Sequence, residues 1–312
     1  MDLDGLDLNI LVSLDALLSE KNVTRAAERV FVSQPAMSAA LQKLRQRLSD
    51  PLLERAGRKM ELTPRARSLA GPVKELLFRI QAMLAIESAF DPATAQRKFS
   101  LVMSAYCAEI FGAPLAHRIA GLAPNVSCQI DDLSSNALTR VYEGQVDVCI
   151  APSQQDSLDD TYRVDISCEQ YLFADLWVLI GDRDNRLLDR PMSYETFCAQ
   201  RYAETRLDTG VVSMVEQTLA RRPARPITAA WMPNYLNTMA MIGGTDLLAI
   251  VPSRLFTLHG EHFRLRAAAS PLLLPAIDEI AIWHPRNEAD PAHRWMIGIL
   301  SEVASGMPPT DF

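Results

Sequence analysis

Between Val32 and Leu48 the chain reads VSQPAMSAALQKLRQRL, and no other stretch restricts the fold as tightly. Met37, Leu41, Leu44 and Leu48 recur at helical spacing, so one face of this helix must pack inward. The opposite face carries Gln34, Pro35, Ser38, Gln42 and Arg45, short groups at its start and a cation further along. Ser33 stands where a helix cap belongs, and Pro35 is tolerated because first-turn amides have no internal acceptor to lose.

The flanking sequence supplies what such a helix packs against. Leu6, Ile10, Leu11, Leu14, Leu17 and Leu18 predict a first helix from about Asp7 to Ser19. Asn22 or Thr24 can cap a short second helix, TRAAERV, in which Ala26 and Ala27 permit close helix approach. Phe31 and Val32 then make the turn into the third helix. Leu52 to Ala56 and Met60 to Thr63 flank a GRK tip and predict a hairpin with Arg55, Gly57, Arg58 and Lys59 at its end. Three helices followed by a basic hairpin predict a winged helix-turn-helix. Thr63 and Pro64 then start a long helix of roughly 35 Å. Its apolar stripe runs through Leu69, Val73, Leu76, Leu77, Ile80, Met83 and Leu84, and Pro72 threatens a kink. The stripe suits either a seam between two chains or packing on its own domain.

Charge singles out the same region. The chain is −7 overall, yet eleven basic against four acidic side chains between Lys21 and Arg67 leave that segment +7 and the remainder −14. Such a patch can hold a polyanion locally while the rest of the molecule repels it. No run of about 18 apolar residues is present, and Asp2, Asp4, Asp7, Asp15 and Glu20 occupy the place of a basic, apolar leader, so a cytoplasmic location without membrane contact is expected. The five cysteines are scattered and never form CxxC, which points to buried thiols rather than disulfides or zinc. No metal or cofactor is expected.

From Phe99 onward strands alternate with helices. FSLVMS, VSCQID and VDVCIA are separated by helices ending near Gly121 and Gly144, and RYAET, PITAA and DLLAIV recur with helices from about Gly210 and Asn234. This predicts two parallel-sheet α/β units. EIAIWH at Glu279 and a last helix from Pro291 follow the second unit, so the chain is expected to cross twice and close back on the first.

With these segments in view, LDLNILVSLDALL, NVTRAAERVFVSQPAMSAALQKLRQRL and PLLERAGRKMELTP closely resemble the LysR-type transcriptional regulators. DLNILVSLDALL and QPAMSAALQKLR are similar to the branch containing nodulation regulators and regulators of aromatic-compound degradation. YEGQVDVCIAP, GGTDLLAIVP and DEIAIWHPRNEADPAHRWM extend the resemblance to that branch's effector domain, with a weaker stretch from Asp156 to Arg225. The resemblance implies an all-α winged helix-turn-helix over residues 1–64 and a dimerising linker helix over 65–93. It implies an effector domain over 94–312 resembling type 2 periplasmic binding proteins, with subdomain I at about 94–170 and 254–312 and subdomain II at about 171–253. It also implies a dimer or tetramer built through the linker, an interrupted inverted repeat in double-stranded promoter DNA, a small-molecule effector, and RNA polymerase as a further partner.

On that frame Gln34 and Ser38 are expected at base edges, with Ser33, Pro35 and Ala36 in close contact and Gln42 along the same face. Lys43, Arg45, Arg55, Arg58 and Lys59 are expected over phosphates, joined by Thr24 and Arg25 at the start of the second helix. A solvated polar face is the plainer alternative for each.

In open α/β folds ligands lie beyond the carboxyl ends of strands. That selects Ser104, Ala105 and Tyr106; Leu133, Ser134, Ser135 and Asn136; Thr205 and Arg206; and Trp231 and Tyr235. The serines and Asn136 serve equally as helix caps, and Trp231 and Tyr235 equally as core. An aromatic effector fits the rings, whereas Asp175, standing where relatives that sense aromatic acids tend to have a basic residue or histidine, argues against a simple carboxylate. Cys107 at a helix N-terminus offers a redox-sensor alternative, set against an ordinary buried thiol. An enzyme with an accessory N-terminal domain is the remaining alternative, but GxSxG, GxxxxGK[ST], HExxH and Gly-rich dinucleotide turns are all missing from the sequence. His259 and His262 are the one close histidine pair and are expected in a surface loop.

Overall fold

The computed structural model describes residues 9–56, 59–84, 90–153, 158, 168–207 and 209–310. The chain divides into two compact units, residues 1–89 and 90–312.

The first unit contains α1 (Asn9–Glu20), α2 (Val23–Arg29), α3 (Gln34–Leu48), β1 (Leu53–Ala56), β2 (Lys59–Leu62) and α4 (Pro64–Leu84). The expected start of α1 at Asp7 lies outside the described residues. Asn22 is the cap of α2, its Oδ1 accepting the amides of Thr24 at 2.9 Å and Arg25 at 3.1 Å. Ser33 caps α3 by accepting the amide of Ala36, and Met37, Leu41 and Leu44 are buried as their spacing requires. Ala26 and Ala27 are essentially inaccessible, so α2 lies tight against its neighbours where larger side chains would hold it away. β1 and β2 pair antiparallel from Leu53↔Leu62 to Ala56↔Lys59. Asp50 Oδ1 accepts both the Leu52 amide and the Thr63 hydroxyl, at 2.7 Å each, and the Thr63 Oγ1 accepts the Ala66 amide. One carboxylate thus ties the base of the hairpin to the start of α4.

α4 continues through Pro72 without a break. The residue before it is Gly71, whose missing Cβ removes the clash that usually keeps a pre-proline residue out of a helix. Ala66 and Val73 are buried in the unit's core, with Leu69, Ala70 and Leu77 packed against it, while Leu76 is exposed. The first half of the apolar stripe therefore serves its own domain. The side chains of Met83 and Leu84 lie outside the described set.

The second unit begins with β3 (Arg97–Met103), α5 (Ala105–Leu122), β4 (Val126–Asp132), α6 (Ala137–Tyr142), β5 (Val148–Pro152) and β6 (Cys168–Asp175). It continues with β7 (Trp177–Asp182), α7 (Tyr194–Cys198), β8 (Arg201–Thr205), α8 (Met214–Ala220), β9 (Ile227–Met232), α9 (Tyr235–Ile242) and β10 (Ala249–Pro252). α10 (Ser253–His259), β11 (Leu265–Ala269), β12 (Ile277–Trp283) and α11 (Pro291–Ser305) complete it.

One sheet has the order β4-β3-β5-β12-β6, a second has the order β10-β7-β11, and β8 and β9 form a separate pair. A parallel bridge between Tyr202 and Leu248 links β8 to the segment entering β10. The expected parallel pairing holds for β3 with β4 and β5 and for β8 with β9. Neither larger sheet is parallel throughout: the first is mixed, with β12 antiparallel to β5 and β6, and the second is antiparallel, with β7 running against both β10 and β11. The cause is the double crossing. The chain leaves the first sheet at Asp175 and enters the second at Trp177, then returns between Ala269 and Ile277, and each arriving strand runs against its new neighbours. β6 thus stays in the first sheet to Asp175, and β11 belongs to the second.

β5 is buried on both faces, which is why Val148 to Ala151 reads as an unbroken apolar run. α9 ends at Gly243, where an added Cβ would stand 2.5 Å from the Phe263 carbonyl, so only glycine allows that backbone approach. No described helix is long and apolar enough to cross a membrane.

Candidate nucleic-acid interface and ligand cleft

In the first unit the amino end of α3 is presented outward. Every residue from Phe31 to Ala36 is exposed, and the next, Met37, is fully buried. The Gln34 Nε2 donates to the Ser38 Oγ at 3.2 Å, which aligns the two polar groups along one edge of the helix. Gln42 and Lys43 continue the exposed face. Thr24 and Arg25 stand exposed at the start of α2, where Arg25 reaches back to the Glu20 carbonyl. Arg45 departs from its expected place over a phosphate. Its Nε donates to the Pro51 carbonyl at 2.8 Å and its Nη2 to that of Leu53 at 3.4 Å, so it braces the hairpin against α3. Arg55 is exposed on β1, Lys59 opens β2, and Arg58 lies outside the described residues.

In the second unit the carboxyl ends of the strands bring the expected ligand residues to two facing edges. Ser104 caps α5 through the Cys107 amide at 3.1 Å, so its hydroxyl oxygen has a local task. The Ala105 amide is taken by Asp132 Oδ1 at 3.1 Å, and the same oxygen accepts the Leu133 amide. The helix end that would attract an anion is already met by an internal carboxylate. Leu133 is buried in a small apolar cluster with Leu138 and Val141, so it is core rather than wall. The Ser134 hydroxyl donates to Asn136 Oδ1 at 2.7 Å. The Ser135 amide donates to the Thr209 carbonyl, and Gly210, at φ +77°, lies so close that an added Cβ would sit 3.2 Å from the Ser135 Oγ. The two lobes of this unit meet there.

Thr205 departs from the expected wall in the same way as Leu133. It is buried, and its hydroxyl pairs with that of Thr238 at 2.7 Å. Tyr235 is buried beside Trp177, with ring centroids 5.9 Å apart. Ala105, Tyr106, Asn234 and Tyr235 line a cavity of about 80 Å³ between α5 and α9. Trp231 is not core: it is 55% exposed, donates its indole N–H to Glu204 at 2.8 Å, and lies under the Arg206 guanidinium at 5.4 Å. Glu204 at 3.6 Å and Glu216 at 3.9 Å flank that guanidinium. Burial and the neighbouring Glu204 raise the Glu216 pKa, with Arg206 pulling it back.

Below this edge lies a polar group that sequence reasoning missed as a unit. Asp175 is fully buried where the chain leaves β6. Its carboxylate accepts the Tyr106 hydroxyl at 2.5 Å, the Ser253 hydroxyl at 2.5 Å and the Arg254 amide at 3.2 Å. It therefore binds α5 and α10 to the first crossing. Glu279 pairs with Phe173 while Ile277 pairs with Asp175, which sets the two carboxyls diagonally on one face of neighbouring strands. Glu279 is fully buried, and neither of its oxygens has a hydrogen-bond partner among the described residues. Burial first, and the Asp175 charge second, push its pKa up to about 8. A signal stood in the sequence: Glu279 directly precedes the apolar run Ile280 to Trp283.

Cys107 is fully buried, and desolvation raises its thiol well above the ordinary value, aided by Glu279. Burial outweighs the helix end, so the thiolate that a redox sensor needs is disfavoured. His259, expected in a surface loop, instead ends α10 and pairs with Glu109 at 2.8 Å, whereas His262 lies exposed in the turn that follows.

Residues 8–67 match the model for the bacterial regulatory helix-turn-helix protein, lysR family, and residues 93–305 match the LysR substrate binding domain. The chain is 32% identical to Nodulation protein D of Bradyrhizobium sp. (strain ANU 289), over 99% of this chain and 92% of that protein. It is also 32% identical to Nodulation protein D 3 of Mesorhizobium japonicum, over 98% of this chain and all of that protein. Among solved structures it is similar to the probable transcriptional regulator PA0477 from Pseudomonas aeruginosa, with a TM-score of 0.62 and 28% identity over 96% of this chain and 98% of that one. ArgP from Mycobacterium tuberculosis shares the fold, with a TM-score of 0.70 and 15% identity over 97% and 98% of the two chains.

Proposed function

Because the chain belongs to the LysR family of bacterial helix-turn-helix regulators and is a DNA-binding transcriptional regulator with an effector-binding domain, we propose that α3 enters the major groove amino end first and that the lobed second unit holds a small molecule in its cleft. The matches are to transcriptional regulators, and the enzyme alternative is set aside on that ground. One observation carries the DNA reading: α3 is pinned by Met37, Leu41 and Leu44 while Gln34, Pro35 and Ala36 are exposed at its tip with the half-buried Ser38 hydrogen-bonded to Gln34 beside them. Rigid support behind short polar and apolar groups is what reading base edges requires. Thr24, Arg25, Lys43, Arg55, Arg58 and Lys59 hold phosphates. Arg45 acts through the hairpin it braces.

The protein works in the cytoplasm as a homo-oligomer on an interrupted inverted repeat of promoter DNA, with RNA polymerase as the partner that reads its state. The effector lies among Ala105, Ser134, Ser135, Asn136, Arg206, Trp231 and Tyr235. The Asp132 carboxylate on the α5 amide and the two glutamates around Arg206 support an effector without a simple carboxylate. An aromatic, hydrogen-bonding molecule fits the exposed Trp231 face.

Gln34→Ala and Ser38→Ala are expected to cost about 1–3 kcal/mol on a preferred duplex and almost nothing on an unrelated one. Arg58→Ala and Lys59→Ala are expected to weaken both duplexes and to reduce the salt slope by about 1 each. Fluorescence anisotropy at several salt concentrations measures both, using duplexes enriched from a random pool by the full chain. Equal loss on both duplexes in all four variants would remove the division between base and phosphate contacts. A thermal-shift screen of neutral phenolic compounds against their carboxylate analogues tests the cleft, with stabilisation expected from the former alone.

A further inference from the structure

Five non-glycine residues among those described have positive φ: Lys21, Phe31, Ser49, Leu52 and Arg264. Three are polar. Of the two apolar ones, Leu52 at φ +61° is 1% exposed, so its unfavourable backbone is offset by core burial. Phe31 at φ +56° is 96% exposed and contributes nothing to its own core. Glycine or asparagine would serve this turn better on both counts. Val32, beside it, is also exposed, and the turn is held by the Phe31 amide on the Glu28 carbonyl and the Val32 amide on the Ala27 carbonyl. The ring is thus offered outward on a fixed backbone, two residues before the cap of α3.

We infer that Phe31 is a DNA-contacting residue, laying its ring against apolar parts of the duplex, a thymine methyl or a deoxyribose, beside the bases that α3 meets. The inference rests on the reading of α3 as the groove helix. Location and charge choose DNA over a protein partner: Phe31 opens the exposed run that ends in Gln34, Pro35 and Ala36, within a segment of net charge +7. Thymine methyls in the major groove and the sugar faces are the apolar surfaces a duplex presents there. The ring carries no charge, so its contribution adds affinity without adding to the salt dependence.

The test uses the full-length protein and duplexes that the wild type enriches from a random pool. Phe31→Gly and Phe31→Asn are expected to melt at or above the wild-type temperature, because each relieves the backbone and removes no core contact. Both are expected to bind about tenfold more weakly with an unchanged salt slope, as loss of a partly buried ring implies. Phe31→Leu retains part of the affinity. Replacing thymine by deoxyuridine separates the two surfaces: a loss seen in the wild type and absent in Phe31→Gly marks the methyl, and no loss in either marks the sugar. Phe31→Gly and Phe31→Asn binding as tightly as the wild type would overturn the inference while leaving the DNA reading intact. A wild type that enriches no duplex would overturn both.

Discussion

Replacing Glu279 by Gln is expected to leave stability unchanged below about pH 4 and to raise it by about 3–5 kcal/mol at pH 9. Glu279 is buried without a partner beside Asp175, and its pKa is pushed up to about 8, against 4.5 for an ordinary glutamate. Between those two values the native chain keeps a proton that the unfolded chain has released. Native protein then binds more protons than unfolded protein, so stability falls as pH rises through this window and levels off above about 8. Gln is neutral throughout and mimics the protonated acid, so the variant lacks this slope. For a unit of this size the gain at pH 9 corresponds to a melting shift of roughly 6–20 °C. Calorimetry of both proteins at half-unit pH intervals decides it, and parallel curves from pH 5 to 9 would mean that the carboxyl is neither dry nor crowded.

Asp175→Ala should be the most damaging single truncation in the second unit, costing about 3–5 kcal/mol at pH 7. It strands the Tyr106 and Ser253 hydroxyls and the Arg254 amide, all of which use this one carboxylate. Removing Asp175 also takes away the charge that crowds Glu279, so the damage should be smaller above pH 8. Combined with Glu279→Gln, the two changes should therefore fail to add, by about 1 kcal/mol or more. Urea unfolding of the wild type, both single variants and the double variant at pH 6 and 9 measures the coupling. Strict additivity at both values would show that the carboxyls do not sense each other.

The sequence exposed most of the first unit because its signals are local. Asn22, Ser33 and Thr63 cap the helices they precede, and Met37, Leu41 and Leu44 show their face by spacing alone. Three parallel strand-helix repeats were readable for the same reason. β6, β7, α7, α10 and β11 were not; at the first crossing only Leu176 stands between YLFAD and WVLIGD, strands of different sheets. A change of sheet is decided by partners far away in sequence, and periodicity does not record it. The ligand edge was legible as a place but less so as a set of roles. Thr205 and Leu133 stand at the predicted loops yet turn inward, and Ser104 is committed to its cap. Arg45 lay on the predicted face, but its length lets it reach back to the hairpin, a choice that residue type does not reveal.

The double crossing has a consequence for how the polypeptide matures. β12 lies between β5 and β6 in the first sheet, yet it is synthesised after every strand of the second. During translation the lobe carrying β7 to β11 can close as soon as Ala269 clears the ribosome, whereas the earlier-made lobe waits with β5 unpaired on one side. That waiting edge is a ready template for a neighbouring chain. Ribosomes that stall between Ala269 and Ile277 should therefore release products that aggregate, although every residue of β3 to β6 has already been made.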